Sequence, residues 1–368
     1  MDRARYVRQQ AVDGLGVERL AAMRVVVVGA GAVGNEVVKN LALMGVGAVD
    51  VHDFDRVEVH NLTRGVFLRE SDVGRPKATA VATRAADVDP HVRIRAVEGD
   101  AWRTLALGDL ARADALVLAV DSVEARMKLA QLALLAGVDV VNAGIDSRYA
   151  SVETFPHAQA GPQACYECHL PPSAYAKVAE RYSCGWLRRA LAAEAVVATT
   201  AITASVAGAL AVQAVLHPGG GARRVLVDTH TGHATAAALT RNDACAGCAG
   251  LHPRPPRVPA RGDWHAALRR HAPDADALVL SDAVIFDYAC QQCGSTREGA
   301  AYVGRAAAAF DDRIVRCAAC GELAVRIDVR TETTPGELQR LYVRATMPVK
   351  YLLAWTAASA AVCLDLEE

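Results

Sequence analysis

Two cations and a carboxylate occur where a parallel sheet would bring them to one edge. Arg64 ends an Asn-Leu-Thr-Arg segment, Lys77 opens a predicted helix, and Asp121 follows the apolar run 115–120. Guanidinium and ammonium groups bind phosphate oxygens, and a carboxylate is a good ligand for Mg²⁺. Each residue alone is more often a solvated surface charge. Together they favour a site for a triphosphate with magnesium over a site for a nicotinamide.

Two aspartates, Asp53 and Asp55, stand at the end of another apolar run. In nucleotide-binding units of α/β proteins, an acidic residue at the tip of the second strand hydrogen-bonds a hydroxyl of the ribose. Both aspartates fit that spacing, so the sequence leaves open which of them has this role.

Eight of the ten cysteines form four Cys-x-x-Cys pairs, which are Cys165 and Cys168, Cys245 and Cys248, Cys290 and Cys293, and Cys317 and Cys320. Two intervening residues let both thiolates of a pair face one metal ion, so the four pairs predict two tetrahedral zinc sites. Disulfides would be reduced in the cytosol, and no pair is placed as in a thioredoxin-like redox motif. The last two pairs are close together, as in a zinc ribbon. The first two are far apart, and the residues alone support that site less.

The two unpaired cysteines have different surroundings. Cys363 lies in an alternating segment that is typical of a half-buried strand, which predicts a core residue. Cys184 lies in a polar segment with Arg181, Arg188 and Arg189 nearby, and these cations favour a thiolate. Most lone cysteines are inert, but Cys184 is a candidate nucleophile.

A glycine-rich turn follows the first predicted strand. A nucleotide site built from the cations and carboxylates named above would need such a turn to hold the phosphates. Four valines at 25–28 have branched side chains, which suit a parallel strand buried on both faces. Gly29, Gly31 and Gly34 then permit a tight turn and a helix whose N-terminus points at a bound phosphate. Ordinary strand-to-helix turns also use glycine, so the turn alone is a weak signal.

The alternation of strand and helix patterns predicts an α/β fold with a Rossmann-like, mainly parallel sheet. We expect a helix from about 35 to 44 and strands at 48–52, 115–120, 139–142, 151–155 and 224–228. Ligands of such sheets bind at the carboxyl ends of the strands, where the charged residues are predicted to lie.

The composition is that of a globular chain without a charge bias. Among 368 residues, 40 are basic and 41 acidic, so neither nucleic acid nor a membrane is an expected partner. The first residues lack the apolar segment of a signal peptide, and we expect a cytoplasmic protein. The charge-free segment 195–216 could span a bilayer by length, but its alanines and threonines favour a helix buried in a core or subunit interface.

The cysteine pairs and prolines predict two domains. The first would be an ATP-binding domain over residues 1–252 with one four-cysteine site. A Pro-rich linker would follow at 253–262. A C-terminal domain over 263–368 would contain the second four-cysteine site as a zinc ribbon.

Taken in order, these residues resemble the E1-like activating enzymes, the ThiF, MoeB and HesA group, over about residues 3 to 250. The features that match are the opening Arg5-Tyr-Val-Arg8-Gln, the glycine turn, Asp53-Phe-Asp55, Asn61-Leu-Thr-Arg64, Lys77 and Asp121. One departure is Gly65, where the family usually has glutamine. The resemblance implies a Rossmann-like adenylation domain.

The resemblance also implies roles for the nucleotide site. Asp53 or Asp55 would hold the ribose, and Asn61 and Arg64 would bind the phosphates. Lys77 would bind the phosphate that is attacked.

Asp121 would hold Mg²⁺ by the same resemblance, and Arg8 would reach across a homodimer into the ATP of the partner subunit. The first two cysteine pairs match the structural zinc site of the family. Cys184 falls where ThiF-like relatives have their acyl-accepting cysteine.

We therefore expect ATP-dependent adenylation of the C-terminus of a ubiquitin-like or sulfur-carrier protein. A thioester on Cys184 and transfer to an E2-like conjugating enzyme would follow, with the second zinc ribbon as a docking module. The alternative within the family is a sulfur-carrier adenylyltransferase without conjugation, because MoeB-type relatives stop at the adenylate. A non-catalytic scaffold of the same fold is disfavoured by the intact cation set. A NAD-dependent dehydrogenase would leave Lys77 with Asp121 unexplained.

Overall fold

The computed structural model describes residues 3–159, 161–181, 198–252, 254–296, 302–307, 317, 319–322, 325–342, 347–357 and 359–367. The chain divides into two compact units, Met1–Ala249 and Gly250–Glu368. Cys184 lies outside the described residues, and the structure therefore does not test its predicted role.

The first unit is built on an eight-stranded sheet. Its strands are β1 (Arg24–Val28), β2 (Ala48–Asp53), β3 (Arg93–Glu98), β4 (Ala115–Leu118), β5 (Asp139–Ile145), β6 (Tyr149–Phe155), β7 (Arg223–Asp228) and β8 (Ala234–Ala238). The spatial order is β3-β2-β1-β4-β5-β6-β7-β8. The five strands from β3 to β5 are parallel, and β6, β7 and β8 are antiparallel to their neighbours. The prediction of a mainly parallel α/β sheet is confirmed.

The strand order reverses at β1, which has β2 on one side and β4 on the other. In open α/β sheets a crevice forms at such a position, outside the carboxyl ends of the strands. The four valines of β1 are buried, as a strand covered on both faces requires. The crevice therefore begins where β1 ends, at the glycine turn.

Eight described helices belong to this unit: α1 (Val17–Ala22), α2 (Ala32–Leu43), α3 (Lys77–Ala86), α4 (Ala101–Thr104), α5 (Leu107–Leu110), α6 (Val123–Ala136), α7 (Pro172–Arg181) and α8 (Ala201–Leu216). Several helix and strand bounds differ from the sequence prediction, and two of these differences lie at the crevice. Helix α2 begins at Ala32 and not near residue 35, because the turn is completed within Gly29 to Gly31. Strand β4 ends at Leu118, and residues 119–122 form a loop at the crevice.

Helix α8 is the described part of the charge-free segment. It packs on α2, β5 and β6, so the prediction of a helix buried in the core is confirmed. A Cβ at Gly208 would lie 2.4 Å from Cβ of Glu36, which shows how closely α8 and α2 approach. Within the described part of the chain, no helix combines the length and the apolar character needed to cross a membrane.

The second unit contains a five-stranded sheet in the order β11-β10-β12-β13-β9. The strands are β9 (Arg257–Pro259), β10 (Ala277–Cys290), β11 (Val325–Thr333), β12 (Tyr351–Trp355) and β13 (Ala360–Asp365), with helices α9 (Trp264–His271) and α10 (Pro335–Leu341). Leu278, Leu338, Leu352 and Leu364 belong to its own hydrophobic core. The sequence prediction placed residues 253–262 in a linker. The structure differs, because β9 pairs with β13 and is thus an edge strand of this sheet.

Candidate functional site

The glycine turn has the close contacts that its residue types predict. Gly29 has a φ of +98°, and a Cβ there would lie 2.5 Å from the carbonyl oxygen of Ala119. A Cβ at Gly34 would lie 1.8 Å from the carbonyl oxygen of Gly29. A Cβ at Gly31 would meet no atom within 4 Å, so the turn is open on that side. Larger residues are excluded at Gly29 and Gly34, and the open side leaves room for a phosphate at the start of α2.

Asn35 braces this turn from the first part of α2. Its side chain is buried, and its Nδ2 donates to the carbonyl oxygens of Ala30 at 2.8 Å and Gly31 at 3.0 Å. Its Oδ1 accepts a hydrogen bond from the backbone N–H of Phe67 at 3.0 Å. One amide thus joins the glycine turn to the segment that contains Arg64. The sequence analysis assigned no role to Asn35.

Asp53 is the last residue of β2, and both of its carboxylate oxygens accept backbone hydrogen bonds. Oδ2 accepts from Ala30 N at 2.6 Å, and Oδ1 accepts from Asp55 N at 2.7 Å. Burial raises the pKa of Asp53, while these two hydrogen bonds and the charge of Lys77 act in the opposite direction. Asp53 therefore holds the glycine turn against the tip of β2.

Asp55 and Lys77 form an ion pair beside Asp53. Lys77 Nζ lies 2.8 Å from Asp55 Oδ2, and the backbone N–H of Lys77 donates to the carbonyl oxygen of Asp55, also at 2.8 Å. The Lys77 side chain is 13% exposed and that of Asp55 49%. The two aspartates that the sequence could not distinguish thus have different partners. Asp53 contacts the glycine turn, and Asp55 contacts the lysine.

Asn61 and Arg64 lie in the loop between Asp55 and Lys77. Asn61 Oδ1 accepts from Glu58 N at 3.0 Å, and Arg64 Nη1 donates to the carbonyl oxygen of His60 at 2.8 Å. Gly65 is buried, and a Cβ there would lie 2.6 Å from Cδ1 of Leu68. A glutamine at this position would require Leu68 to move, which gives the departure from the usual family residue a local packing reason.

Asp121 lies in the loop that follows β4 and is exposed. Among the described residues, no hydrogen bond or ion pair to its carboxylate is recorded, so both oxygens are available to a cation. The preceding loop residue Ala119 donates to Val28 O at 2.8 Å, which places the start of this loop beside the end of β1. A hard divalent ion prefers such oxygen ligands, and Asp121 therefore fits Mg²⁺.

Arg126, one turn into α6, lies behind the Asp121 loop. Its Nη2 donates to the carbonyl oxygens of Val120 and, at 3.0 Å, Ala143, and its Nη1 donates to Asn142 Oδ1. Burial lowers the pKa of Arg126, and the charges of Tyr166, Glu153 and Asp121 oppose that change. The sequence analysis assigned no function to Arg126, because no local pattern reveals which groups accept its hydrogen bonds.

The arginines of the N-terminal motif have separate environments. Arg5 Nη1 lies 3.0 Å from Asp89 Oδ1, and its Nη2 donates to Val88 O at 2.9 Å. Tyr6 is buried, and its hydroxyl donates to Asp89. Arg8 is exposed, and no side-chain partner is recorded for it within the described part of the chain. Arg5 and Tyr6 therefore anchor the segment, and Arg8 projects from it.

The first two cysteine pairs form one cluster in the first unit. Cys165 Sγ lies 3.8 Å from Cys168 Sγ and 3.6 Å from Cys245 Sγ, and Cys168 Sγ lies 3.6 Å from Cys248 Sγ. All four sulfurs are within 4.8 Å of one another. A tetrahedron of sulfurs about 2.3 Å from Zn²⁺ has edges of about 3.8 Å. The cluster therefore fits a tetrahedral zinc ion, despite the long separation in sequence.

The last two pairs form a second cluster in the second unit. Cys290 Sγ lies 3.7 Å from Cys320 Sγ, and Cys293 Sγ lies 3.6 Å from Cys317 Sγ. Cys293 and Cys320 are exposed, in contrast to the four buried cysteines of the first cluster. The spacing fits zinc equally well, but this site lies at the surface of its unit.

Cys363 is buried in β13, and burial raises its pKa to about 12. A thiol in this environment stays protonated, and the prediction of a core residue is confirmed.

A cavity of about 420 Å³ lies at the amino ends of the parallel strands of the first sheet, on the side away from the glycine turn. It is lined by residues at the amino ends of β4 and β5, among them Asp114 and Asp139, and by the end of α8 with His217. None of the residues predicted to bind nucleotide contributes to it. The candidate site is thus the crevice at the carboxyl ends of β1, β2 and β4, and not this cavity.

Comparisons with known proteins agree with this arrangement. A model described as the ThiF family matches residues 4–249. A sulfur carrier protein adenylyltransferase of Thermus thermophilus is 37% identical over 174 residues, which cover 45% of this chain and 64% of that protein. A SAMP-activating enzyme E1 of Haloferax volcanii is 35% identical over 170 residues, with 45% and 62% covered. The chain thus spans slightly less than two thirds of these curated relatives.

Solved structures show the same fold. A crystal structure of E. coli MccB with MccA-N7isoASN has a TM-score of 0.53 at 22% identity and covers 68% of this chain and 75% of that one. A structure of PaaA has a TM-score of 0.51 at 18% identity, with 64% and 82% covered. At these identities the likeness concerns the fold alone.

Proposed function

The chain belongs to the ThiF family, and we propose that it is an ATP-dependent adenylyltransferase that activates the C-terminal carboxylate of a ubiquitin-like or sulfur-carrier protein. One observation supports the proposal: the open glycine turn, Lys77 and the loop that carries Asp121 all lie at the carboxyl ends of β1, β2 and β4, and within the described residues no partner of the Asp121 carboxylate is recorded. The relatives in Thermus thermophilus and Haloferax volcanii, by their names, support this substrate class.

In the proposed reaction, a carboxylate oxygen of the carrier attacks the α-phosphorus of ATP. The bond from this phosphorus to the bridging oxygen breaks, and pyrophosphate leaves with the electron pair. The enzyme contributes position and charge: N–H groups at the start of α2 face the phosphates, and Asn61, Arg64 and Lys77 bind them. Lys77 would exchange its contact with Asp55 for a phosphate oxygen.

The remaining groups have supporting roles in this proposal. Asp121 would hold Mg²⁺, which when bound neutralises developing charge on the phosphates. Asp53 is the better candidate for the ribose, because it ends β2 beside the glycine turn while Asp55 orients Lys77. Its carboxylate oxygens each retain a lone pair beyond the backbone hydrogen bond that they accept.

Arg8 would act in a homodimer, by reaching the nucleotide of the partner subunit. The support is its environment: Arg5 and Tyr6 anchor the segment, which leaves Arg8 exposed on a fixed backbone. A cation fixed in this way can neutralise phosphate charge in a site that is incomplete without it.

Cys184 would be the acyl acceptor of a second step. Its thiolate would attack the acyl carbon of the adenylate, a thioester would form, and AMP would leave. Transfer to an E2-like conjugating enzyme would follow. This part rests on the sequence position of Cys184. The alternative is a sulfur-carrier adenylyltransferase in which the adenylate passes directly to a sulfur donor.

The two cysteine clusters would hold structural Zn²⁺. The first is buried and would fix the end of the adenylation unit. The second is partly exposed on the second unit, and we propose that this unit docks the carrier or a conjugating enzyme.

Exchange of labelled pyrophosphate into ATP tests the first step. We expect exchange that depends on a candidate carrier with a free C-terminus and disappears with the Asp121→Ala variant. The same assay with Asp109→Ala, which alters an aspartate of α5, is the matched control and should match wild type. A dehydrogenase or a scaffold would show no exchange with any carrier, and that result would overturn the proposal.

A further inference from the structure

Arg126 donates to three acceptors near the crevice, and the adenylation mechanism above does not use it. Its guanidinium lies between the loop after β4 and the end of β5, where it joins Val120 O to Ala143 O through Nη2. Val120 directly precedes Asp121. Arg126 therefore contacts the backbone directly before Asp121.

The loop has few other restraints. Ser122 accepts from Ala125 N through its Oγ at 3.3 Å and from Arg126 N through its carbonyl oxygen at 3.1 Å, so it begins α6. Within the described residues, no recorded contact restrains the carboxylate of Asp121 itself. Its position therefore depends on the backbone on either side, and Arg126 provides the side-chain contact to that backbone.

A row of side chains across the sheet holds Arg126 in turn. Asn142 Oδ1 accepts from Arg126, and Asn142 Nδ2 donates to Glu153 Oε2 at 2.8 Å. Arg224 Nε donates to Glu153 Oε1 at 2.7 Å. Asn142, Glu153 and Arg224 are register partners on β5, β6 and β7, so their side chains lie on one face of the sheet.

Within the described residues, the recorded hydrogen-bond acceptors of Arg126 are all neutral, and no carboxylate is in direct contact with its guanidinium. Two carbonyl oxygens and one amide oxygen receive its hydrogen bonds, and the carboxylate of Glu153 is one residue further away. The planar guanidinium has several donors and bridges these fixed acceptors. The ammonium group of a lysine at this position would reproduce that geometry poorly.

We propose that Arg126 is the positioning residue for Asp121, and that the row Asn142–Glu153–Arg224 keeps its guanidinium in place. The proposal rests on the adenylation function proposed above, because Asp121 matters there as a magnesium ligand. Loss of Arg126 then weakens the use of Mg²⁺, while the glycine turn and Lys77 remain in place.

The first experiment measures the Mg²⁺ concentration that gives half-maximal pyrophosphate exchange. We expect this concentration to rise about fivefold or more in Arg126→Gln, as loss of a buried hydrogen-bond donor implies, and less in Arg126→Lys. Arg24→Met is the matched control. Arg24 is also half-buried and donates twice to Asp50, but it begins β1 at the opposite edge, and Asp50 keeps Arg95 as a partner. The control should keep the wild-type Mg²⁺ requirement.

Hydrogen exchange of residues 119–123 is a second readout that needs neither nucleotide nor carrier. It should be faster in Arg126→Gln and unchanged in Arg24→Met. If Arg126→Gln does not fold, Asn142→Ala takes its place, because it leaves the arginine but removes its anchor. It should shift both readouts in the same direction by a smaller amount.

The outcomes separate the two proposals. An active wild type together with Arg126 variants that match it in both readouts would overturn the positioning role alone. A fully wild-type Arg126→Lys would also overturn it, since charge and not geometry would then suffice. A wild type without pyrophosphate exchange, but with faster hydrogen exchange in Arg126→Gln, would refute the adenylation function and leave the role of Arg126 in the loop intact.

Discussion

Lys77 Nζ lies 2.8 Å from Asp55 Oδ2, and the backbone of Lys77 is bonded to the same aspartate. Asp55 thus fixes both where helix α3 begins and where its first side chain points. The lysine is largely buried by its surroundings, and the aspartate is half exposed. Under the proposed function, this ion pair holds the ammonium group in place before a phosphate binds, which would reduce the reorganisation that binding requires.

Lys77→Met should lower the rate of pyrophosphate exchange by about 10² to 10³, the usual effect of removing one donor from a charge-stabilising site. Asp55→Asn should cost less, because the lysine remains but its orientation is weakened. Steady-state exchange kinetics give both values. Lys128→Met is the matched control, since Lys128 pairs with Glu124 on α6 at 3.2 Å. If Lys77→Met exchanges pyrophosphate at the wild-type rate, Lys77 does not contribute to the proposed nucleotide site.

Arg8 should act across a dimer. Arg8→Ala and Asp121→Ala should each be inactive alone. When equal amounts of the two variants are unfolded, mixed and refolded together, activity should return. A hybrid dimer has one intact site, so random pairing restores about a quarter of the wild-type sites. Pyrophosphate exchange of the mixture is the measurement. If re-equilibrated protomers never complement each other, either the dimer or the action of Arg8 in trans is wrong.

Zinc content should be two ions per chain. Elemental analysis of protein purified without chelators measures it, and Cys165→Ser and Cys317→Ser should each lose one ion. Cys317→Ser should unfold mainly the second unit, because structural zinc supplies much of the folding free energy of a small module. Cys363→Ala is the control, since this buried cysteine is outside both clusters and should leave the zinc content unchanged. One ion or none in the wild type would contradict one or both sites.

Cys184 should form a reducible, hydroxylamine-sensitive adduct with the carrier in the presence of ATP. Cys184→Ala should lose this adduct but keep pyrophosphate exchange, because adenylation uses the phosphate-binding residues and not the thiol. Denaturing gels without reductant show the adduct. An adduct that persists in Cys184→Ala would place the nucleophile elsewhere. No adduct in the wild type would favour an enzyme that stops at the adenylate.

The sequence by itself determined the features that depend on local patterns. Four branched residues followed by Gly29 predict a buried strand and a turn wherever they occur in a chain. Both signals are local, because the side-chain pattern and the absence of a Cβ at glycine affect only a few neighbouring residues. The Cys-x-x-Cys spacing in the same way specifies two thiolates that face one ion. The fold class and the identity of the nucleotide-site candidates followed from such signals.

The tertiary structure decided which side chains are partners. Asp53 and Asp55 have the same type and nearly the same position, and only the packing of β2 against the turn and of α3 against the loop separates their contacts. Arg126 finds its acceptors on β5, and Cys168 meets Cys248 across a long separation. Such contacts depend on how distant strands align, and no local pattern encodes that alignment. Strand β9 was missed for the same reason, since the prolines in and before it indicate a linker, and only the pairing with β13 shows a strand.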